Sequence, residues 1–407
     1  MLRVILFFIQ VFRTILSLIL KTCLVFFKNN GLYIRNTYEK KYSYPENKKF
    51  DAIFEISSEG EYQQSISLIK EYLNQKQKIL LVFCSLSVVQ KCEQLSREYD
   101  DLNIVCLPLL NFNYFSIKWN PQSWEVTNIM YLCRYDFFPE LILLGKKHTN
   151  FVLISASLKG YSLKNSFVRK YYRSCYQSFS HLIVVDKNEV NKFQKMAQHI
   201  RIKVGDLRTI EIQKRLKFAD KKLADYPVLR SLFDSLKNTE EKLILGSLWA
   251  EDLFLIDKME IPCVIFPHDL GEKNLNKIES KLESMGKIII RIDDKTDKLV
   301  TNSPNCVYLI NIKGILCESY RFFKYAYIGG GFGTSIHSVL EPYLAGCRVF
   351  CGPNIHRSSE YDFIKANDSV FIKVVQSSID FDFSMSENRL EIKNISAKEI
   401  LDWVHYA

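Results

Sequence analysis

Tyr327-Ile328-Gly329-Gly330-Gly331-Phe332-Gly333-Thr334-Ser335-Ile336-His337-Ser338-Val339-Leu340-Glu341-Pro342 decides the fold. An apolar run ending in Tyr327-Ile328 has strand character, the glycines make a turn, and the residues after them have helical character. Glycines let a backbone approach a phosphate closely, and a helix start supplies unpaired N–H groups at a positive dipole end. No Gly-Lys-Ser/Thr follows, which excludes a Walker loop. On the helix, the Glu341 carboxylate is suited to accept hydrogen bonds from ribose hydroxyls. The next strand runs into Cys351-Gly352-Pro353-Asn354-Ile355-His356, a polar loop at the same end of the sheet.

Outward from this stretch, short apolar runs alternate with helical segments. Strands are predicted at 51–56, 78–84, 104–107, 151–154 and 181–185, and again at 242–245, 262–266, 288–290, 307–310, 325–328 and 348–350. Such alternation implies parallel sheets wrapped by helices. It weakens at 211–240, which is charged and lacks a strand run. The expected class is α/β, with two Rossmann-like domains facing each other across a cleft. The expected boundaries are 28–210 for an N-terminal Rossmann-like domain, 211–240 for a connection and 241–407 for a C-terminal Rossmann-like domain. Ligands of such sheets bind outside the strand carboxyl ends.

Residues 2–27 are apolar apart chiefly from Arg3, Gln10, Arg13 and Lys21. No small-residue cleavage site follows, which excludes a secretory signal. Residues 1–27 are expected either to span a membrane with a tilt or to lie in the headgroup layer. Spanning would put Arg13 near mid-bilayer, at about 2.5–3.5 kcal/mol. Lys28, Arg35, Lys40, Lys41, Lys48 and Lys49 follow, and place the rest of the chain on the cytoplasmic side.

The 407 residues carry a net charge of +10, 47% hydrophobic and 25% charged residues, values of a globular chain with sizeable cores rather than a disordered one. The positive charge suits a phosphorylated substrate or an anionic membrane surface. No nucleic-acid-binding signature accompanies it, so no nucleic-acid partner is expected. The eleven cysteines include no Cys-x-x-Cys pair and read as buried thiols in a reducing compartment. Neither a metal nor another cofactor is expected.

Glu61 follows the first predicted strand at a helix start, where the dipole keeps it ionised. An ionised carboxylate within reach of an acceptor hydroxyl acts as a general base. Glu59 is nearby, and strand alternation does not settle which carboxylate faces the site. His268, after the strand ending at Phe266, is a candidate contact for a leaving phosphate.

These stretches together resemble the Kdo (3-deoxy-D-manno-octulosonic acid) transferases of lipopolysaccharide synthesis. The glycine stretch with Leu340-Glu341 and Gly352-Pro353-Asn354-Ile355-His356 is similar to the family's glycine turn, His-Asn-x-Leu-Glu and Gly-Pro-Asn-x-His. Ser57-Ser58-Glu59-Gly60-Glu61-Tyr62 resembles the segment that carries the family's base. Arg134-Tyr135-Asp136-Phe137-Phe138-Pro139, Ile154-Ser155-Ala156-Ser157-Leu158, Gly205-Asp206-Leu207-Arg208, Gly246-Ser247-Leu248-Trp249-Ala250-Glu251-Asp252 and Pro267-His268-Asp269 match further segments in order. Leu248 stands where the family has threonine, Ser338 where it has asparagine, Asp136 where it has glutamate, and Thr209-Ile210 where it has Phe-Asp.

The resemblance implies a GT-B glycosyltransferase that moves Kdo from CMP-Kdo to a lipid A precursor with inversion, at the cytoplasmic face of a bacterial inner membrane. It implies Glu61 as base. Ser247, His268, Gly330, Gly331, Phe332, Gly333, Ser338 and Glu341 would hold the donor, and Ser58, Gly60, Asp136 and Arg208 would line the acceptor side. The alternatives are a GT-B enzyme using a UDP-sugar on a lipid-linked acceptor, or a non-catalytic divergent paralogue.

Overall fold

A computed structural model describes residues 2–26, 30–46, 48–134, 137–147, 150–156, 158, 166–185, 187–196, 199–296, 306–356, 358–384 and 396–406. The chain forms two compact units, Met1–Glu211 with Asn394–Ala407, and Ile212–Lys393.

The first unit is built on seven strands: β1 (Phe50–Ile56), β2 (Ile79–Phe83), β3 (Leu102–Cys106), β4 (Val126–Cys133), β5 (Asn150–Ala156), β6 (His181–Val184) and β7 (Arg201–Val204). They lie in the order β3-β2-β1-β4-β5-β6-β7, all pairs parallel. Side chains alternate between two cores: Ala52, Phe54 and Ile56 point into one, Phe50 and Ile53 into the other. The order reverses direction between β1 and β4, so the ligand crevice of this sheet lies at their carboxyl ends. Strand β4 was not anticipated, because Thr127 and Asn128 interrupt its apolar run.

Helix α1 (Leu2–Phe26) is followed by α2 (Asn30–Lys41) and, after β1, α3 (Glu59–Asn74). Gln10, Arg13, Thr14 and Ser17 of α1 face the protein. Arg13 binds both carboxylate oxygens of fully buried Glu140 and lies over the Phe112 ring, 4.6 Å from its centroid. Ser17 donates to Leu109 O, and Thr14 accepts from Tyr114 N–H. Gln10 is buried on the same face, while Phe8, Phe12, Ile15, Leu16, Leu18 and Ile19 are exposed. The polar positions 10, 13, 14 and 17 and the apolar positions 8, 12, 15, 16 and 19 follow helical spacing on opposite faces. Arg13 is therefore an ion-pair partner within the unit, not a mid-membrane charge. Among the described residues, no helix is long and apolar enough to cross a membrane.

The second unit repeats the plan with β8 (Leu243–Leu248), β9 (Cys263–Pro267), β10 (Ile288–Ile292), β11 (Cys306–Ile310), β12 (Tyr325–Ile328), β13 (Arg348–Cys351) and β14 (Ile372–Val374). The order is β10-β11-β9-β8-β12-β13-β14, again parallel, with its switch point between β8 and β12. The stretch 211–240, read from sequence as a connection, is helical. Leu216, Leu223, Leu229, Leu232 and Phe233 from it enter the core of this unit. At the other end, the helix Ala397–Tyr406 packs on the first unit. Its Ile400, Leu401 and Val404 join the core beside α3, and His405 shares a hydrogen-bonded chain with Tyr72 and Tyr131. Apolar spacing alone did not separate that helix from the sheet preceding it in sequence.

Candidate active site

At the first switch point, β1 ends at Ile56 and α3 begins at Glu59. Ser58 caps the helix, its hydroxyl accepting the Glu61 N–H at 3.3 Å, while the Glu61 carboxylate accepts the Ser57 N–H at 2.5 Å. This reciprocal cap fixes Glu61 at the strand end, 5% exposed. Glu59 behaves differently: it is exposed and paired with Lys91. The two carboxylates, undecided in sequence, are thus sorted by burial. Behind Glu61, buried Glu55 accepts from the Ser57 hydroxyl. Gly60 has no close neighbour that a side chain would strike.

One turn along α3, Gln64 accepts from Arg134 Nε at 3.1 Å and from the Cys133 thiol at 3.2 Å. Burial raises the Cys133 pKa, keeping it a thiol. Arg134 has φ +60° and buried Ser155, at the end of β5, has φ +52°. Left-handed backbone at non-glycine residues costs on the order of 1–3 kcal/mol and tends to cluster at functional sites. Arg208 is held by Asp206, which caps the next helix start and meets two of its nitrogens. Asp136 lies outside the described residues.

At the second switch point the glycine turn follows β12. Its glycines serve the protein's own backbone. A Cβ on Gly329 would lie 2.3 Å from Ser247 O, and one on Gly331 would lie 2.5 Å from Gly352 Cα. Gly330 has φ +91°, whereas a Cβ on Gly333 would meet nothing closer than 3.5 Å. Phe332 packs edge-on against Phe254, so it is a packing residue here. The Asn354 amide ties the polar loop after β13 to Gly333 O at 2.6 Å.

The helix expected directly after the turn begins only at Leu340. Backbone bonds from His337 N to Gly329 O and from Ile336 N to Asn354 O hold the intervening residues out of the helix. Its start is already occupied: Glu360 accepts from Val339 N (2.9 Å), Leu340 N (3.1 Å) and the Ser338 hydroxyl (2.9 Å). A phosphate at that helix start, the sequence expectation, would meet this carboxylate instead of free N–H groups. Glu341 lies 3.6 Å from Arg215, which binds Glu318 through two nitrogens. These partners fix the orientation of Glu341.

Asp252 was quoted in sequence only as part of a resemblance, and it organises this site. Buried, it accepts from Trp249 N, Gly330 N and the Tyr327 hydroxyl, and burial raises its pKa. Trp249, His268 and His337 form a stack, with His268 centroids 4.6 Å from Trp249 and 4.2 Å from His337. Trp249 Nε1 donates to His337 Nε2 at 3.1 Å, which puts the His337 proton on Nδ1. Burial, with His268 alongside, lowers His337 to about 4, and burial also lowers His268. At neutral pH both rings are uncharged, so His268 offers a phosphate a hydrogen bond and no positive charge. Ser247, one residue before the end of β8, has left-handed backbone (φ +50°), and Leu248 is a core residue.

Two cavities meet at Trp249. One of about 260 Å³ is lined by Asp252, Gly330, Gly333, Thr334, Ser335 and His337, among others. The other, of about 620 Å³, runs from His268 to Lys313 and Gly314. Lys313 supplies the positive charge that the histidines do not. The Asn311-Ile312-Lys313-Gly314 loop after an apolar run was its signal in the sequence.

Residues 35–209 match the family model described as 3-deoxy-D-manno-octulosonic-acid transferase (Kdo transferase). Over this stretch the chain is similar to the Kdo transferases. The segment carries Glu61, Gln64 and Arg134. Two Kdo transferases are similar in sequence. The chain is 22% identical to 3-deoxy-D-manno-octulosonic acid transferase of Rickettsia bellii (strain RML369-C) over 264 residues, 62% of this chain and 59% of that protein. It is 23% identical to that of Rickettsia prowazekii (strain Madrid E) over 235 residues, 55% and 48% of the two chains. The matches thus span about half the length of these curated relatives. Among solved structures, a UDP-GlcNAc 2-epimerase from Neisseria meningitidis bound to UDP-GlcNAc aligns with a TM-score of 0.52 at 12% identity, covering 88% of this chain and 92% of that one. That likeness is one of fold, two parallel sheets each wrapped by helices.

Proposed function

We propose that the protein is an inverting glycosyltransferase that moves Kdo from CMP-Kdo to a hydroxyl of a lipid A precursor. The observation that carries the reading is the capped, buried Glu61 at the first switch point, within the segment that matches the Kdo transferase family. As base, Glu61 takes the proton of the acceptor hydroxyl, whose oxygen attacks the anomeric carbon as the bond to the CMP phosphate breaks. Leaving charge on that phosphate is met by the Gly333 side of the glycine turn, the neutral His268 N–H and Lys313. Preorganised donors of this kind are usually the largest catalytic contribution. Glu341, oriented by Arg215, accepts from the ribose.

The same reading places the protein on the cytoplasmic face of a bacterial inner membrane. Its support is the outward apolar face of α1, together with exposed Tyr33, Ile34, Phe115 and Ile117 in the same unit. An amphipathic helix with such a face lies in the headgroup layer.

One experiment tests both parts: purified protein, a lipid A precursor in anionic vesicles, and labelled CMP-Kdo against labelled UDP-sugars. Kdo transfer with the protein in the vesicle pellet is expected. Transfer from a UDP-sugar alone replaces the donor; CMP binding without any transfer replaces the enzyme by a binding protein; protein left in the supernatant removes the membrane.

A further inference from the structure

We infer that Arg134 is an oxyanion-recognition residue for the acceptor, gripping a phosphoryl group of the phosphorylated sugar while Glu61 acts on its hydroxyl. The inference rests on the proposed function for the identity of the acceptor, and on four observations for the site itself.

The first is position. Arg134 directly follows β4, and Glu61 belongs to the helix that follows β1. Those two strand ends flank the switch point, where a sheet of this order opens a crevice. The second is backbone. At φ +60° Arg134 occupies a conformation that glycine would hold without strain. A long charged side chain is kept there, and its backbone N–H still bonds Ile154 O.

The third is the tether. Arg134 Nε donates to Gln64, itself buried on α3 one turn from Glu61. One nitrogen is thus spent on orientation, and the guanidinium is fixed relative to the base. The fourth is what remains. Among the described residues, the two terminal nitrogens of Arg134 meet no partner, in contrast to Arg208, Arg13 and Arg215, each held by a carboxylate. A guanidinium with its Nε anchored and both Nη groups open is the geometry that receives an oxyanion bidentately.

An oxyanion here has two sources in the proposed reaction, the acceptor phosphate and the carboxylate of the donor sugar. The placement beside Glu61 favours the acceptor.

The test measures binding, so it does not depend on turnover. Wild type, Arg134→Gly and Arg134→Lys are titrated by calorimetry with a short-chain phosphorylated glucosamine disaccharide, its dephosphorylated counterpart, and CMP-Kdo. Arg134→Gly suits the backbone and should unfold at the same temperature as wild type or higher. It should nevertheless bind the phosphorylated probe about 10–100-fold more weakly, the usual worth of a charge-assisted contact. Arg134→Lys should recover part of that loss, and the dephosphorylated probe should not distinguish the three proteins. Equal losses on both disaccharides, no loss on either, or no binding of the phosphorylated probe to wild type overturns the inference. A loss confined to CMP-Kdo assigns Arg134 to the donor carboxylate and overturns it equally. If wild type binds the probe through Arg134 yet transfers no Kdo, the proposed activity fails and the recognition stands.

Discussion

The two switch points are built on the same topology and furnished in opposite ways. In the first unit charged and polar side chains are brought to the strand ends and held there: Glu61 by the Ser57 N–H, Arg134 by Gln64. In the second unit the backbone is brought there, and side chains serve to hold it. Asp252 holds Gly330, Glu360 fills the start of the helix at Leu340, and Gly331 nests against Gly352. A base must be a particular side chain, whereas a nucleotide phosphate is met well by N–H groups and closely approaching backbone. Under the proposed function the contrast becomes a division of labour, acceptor chemistry in one unit and donor binding in the other, and it can be broken at either side.

The largest effect is expected at Glu61. Glu61→Gln keeps the reciprocal cap, because glutamine also accepts from the Ser57 N–H, but it cannot take a proton. Kdo transfer should fall about 10²–10⁴-fold, with CMP affinity and unfolding temperature unchanged. Glu59→Gln removes only an exposed ion pair and should alter the rate little. Equal effects of the two substitutions in a steady-state assay would remove the distinction between these carboxylates.

Next come two glycines of one turn. Gly331→Ala drives a Cβ into the Gly352 backbone and should destabilise the protein by about 1–3 kcal/mol, the usual range for overpacking. Gly333→Ala has room, so stability should hold while CMP binding weakens. Urea unfolding and CMP calorimetry on both variants check this. A Gly331→Ala protein of normal stability that merely binds CMP poorly would mean that the turn is shaped by its ligand and not by its own packing.

The smallest effect is one of pH. The unfolded chain protonates His337 near about 6.5, whereas the folded protein resists until about 4. This contribution to stability is fully present above about 6.5 and is lost as pH falls toward 4, by at most about 1.4 kcal/mol per pH unit. His181 in the first unit, lowered by burial to about 4, adds the same sign of dependence. His337→Gln should therefore lose less stability than wild type between pH 7 and pH 5 in urea unfolding. Identical losses would show that His337 takes up its proton equally in the folded and the unfolded chain.

Much of this was legible because period and punctuation carry it. The runs at 79–84 and Tyr325–Ile328 are apolar throughout and correspond to interior strands, β2 and β12. Glu61 was legible as a carboxylate between a strand and a helix, although not as the one chosen over Glu59, since that choice depends on Lys91 from a distant helix. The helix after the glycine turn was misplaced because its delay comes from long-range bonds to Gly329 and Asn354. Glu360, nineteen positions beyond Glu341, gave no local sign that it would fill a helix start. Arg134 stood in a quoted segment without a role, since neither its backbone conformation nor its open nitrogens are encoded in residue type.

The return of Ala397–Tyr406 to the first unit makes the second unit an insertion within the first. On a ribosome the strands β1–β7 emerge first, yet the helix that covers α3 follows the whole second unit. Tyr72 and Tyr131 must wait, without His405, while some two hundred further residues are synthesised. The first unit is thus completed only after the second has been made. For that interval its α3 flank is an open apolar surface, of the kind that chaperones cover and aggregation exploits.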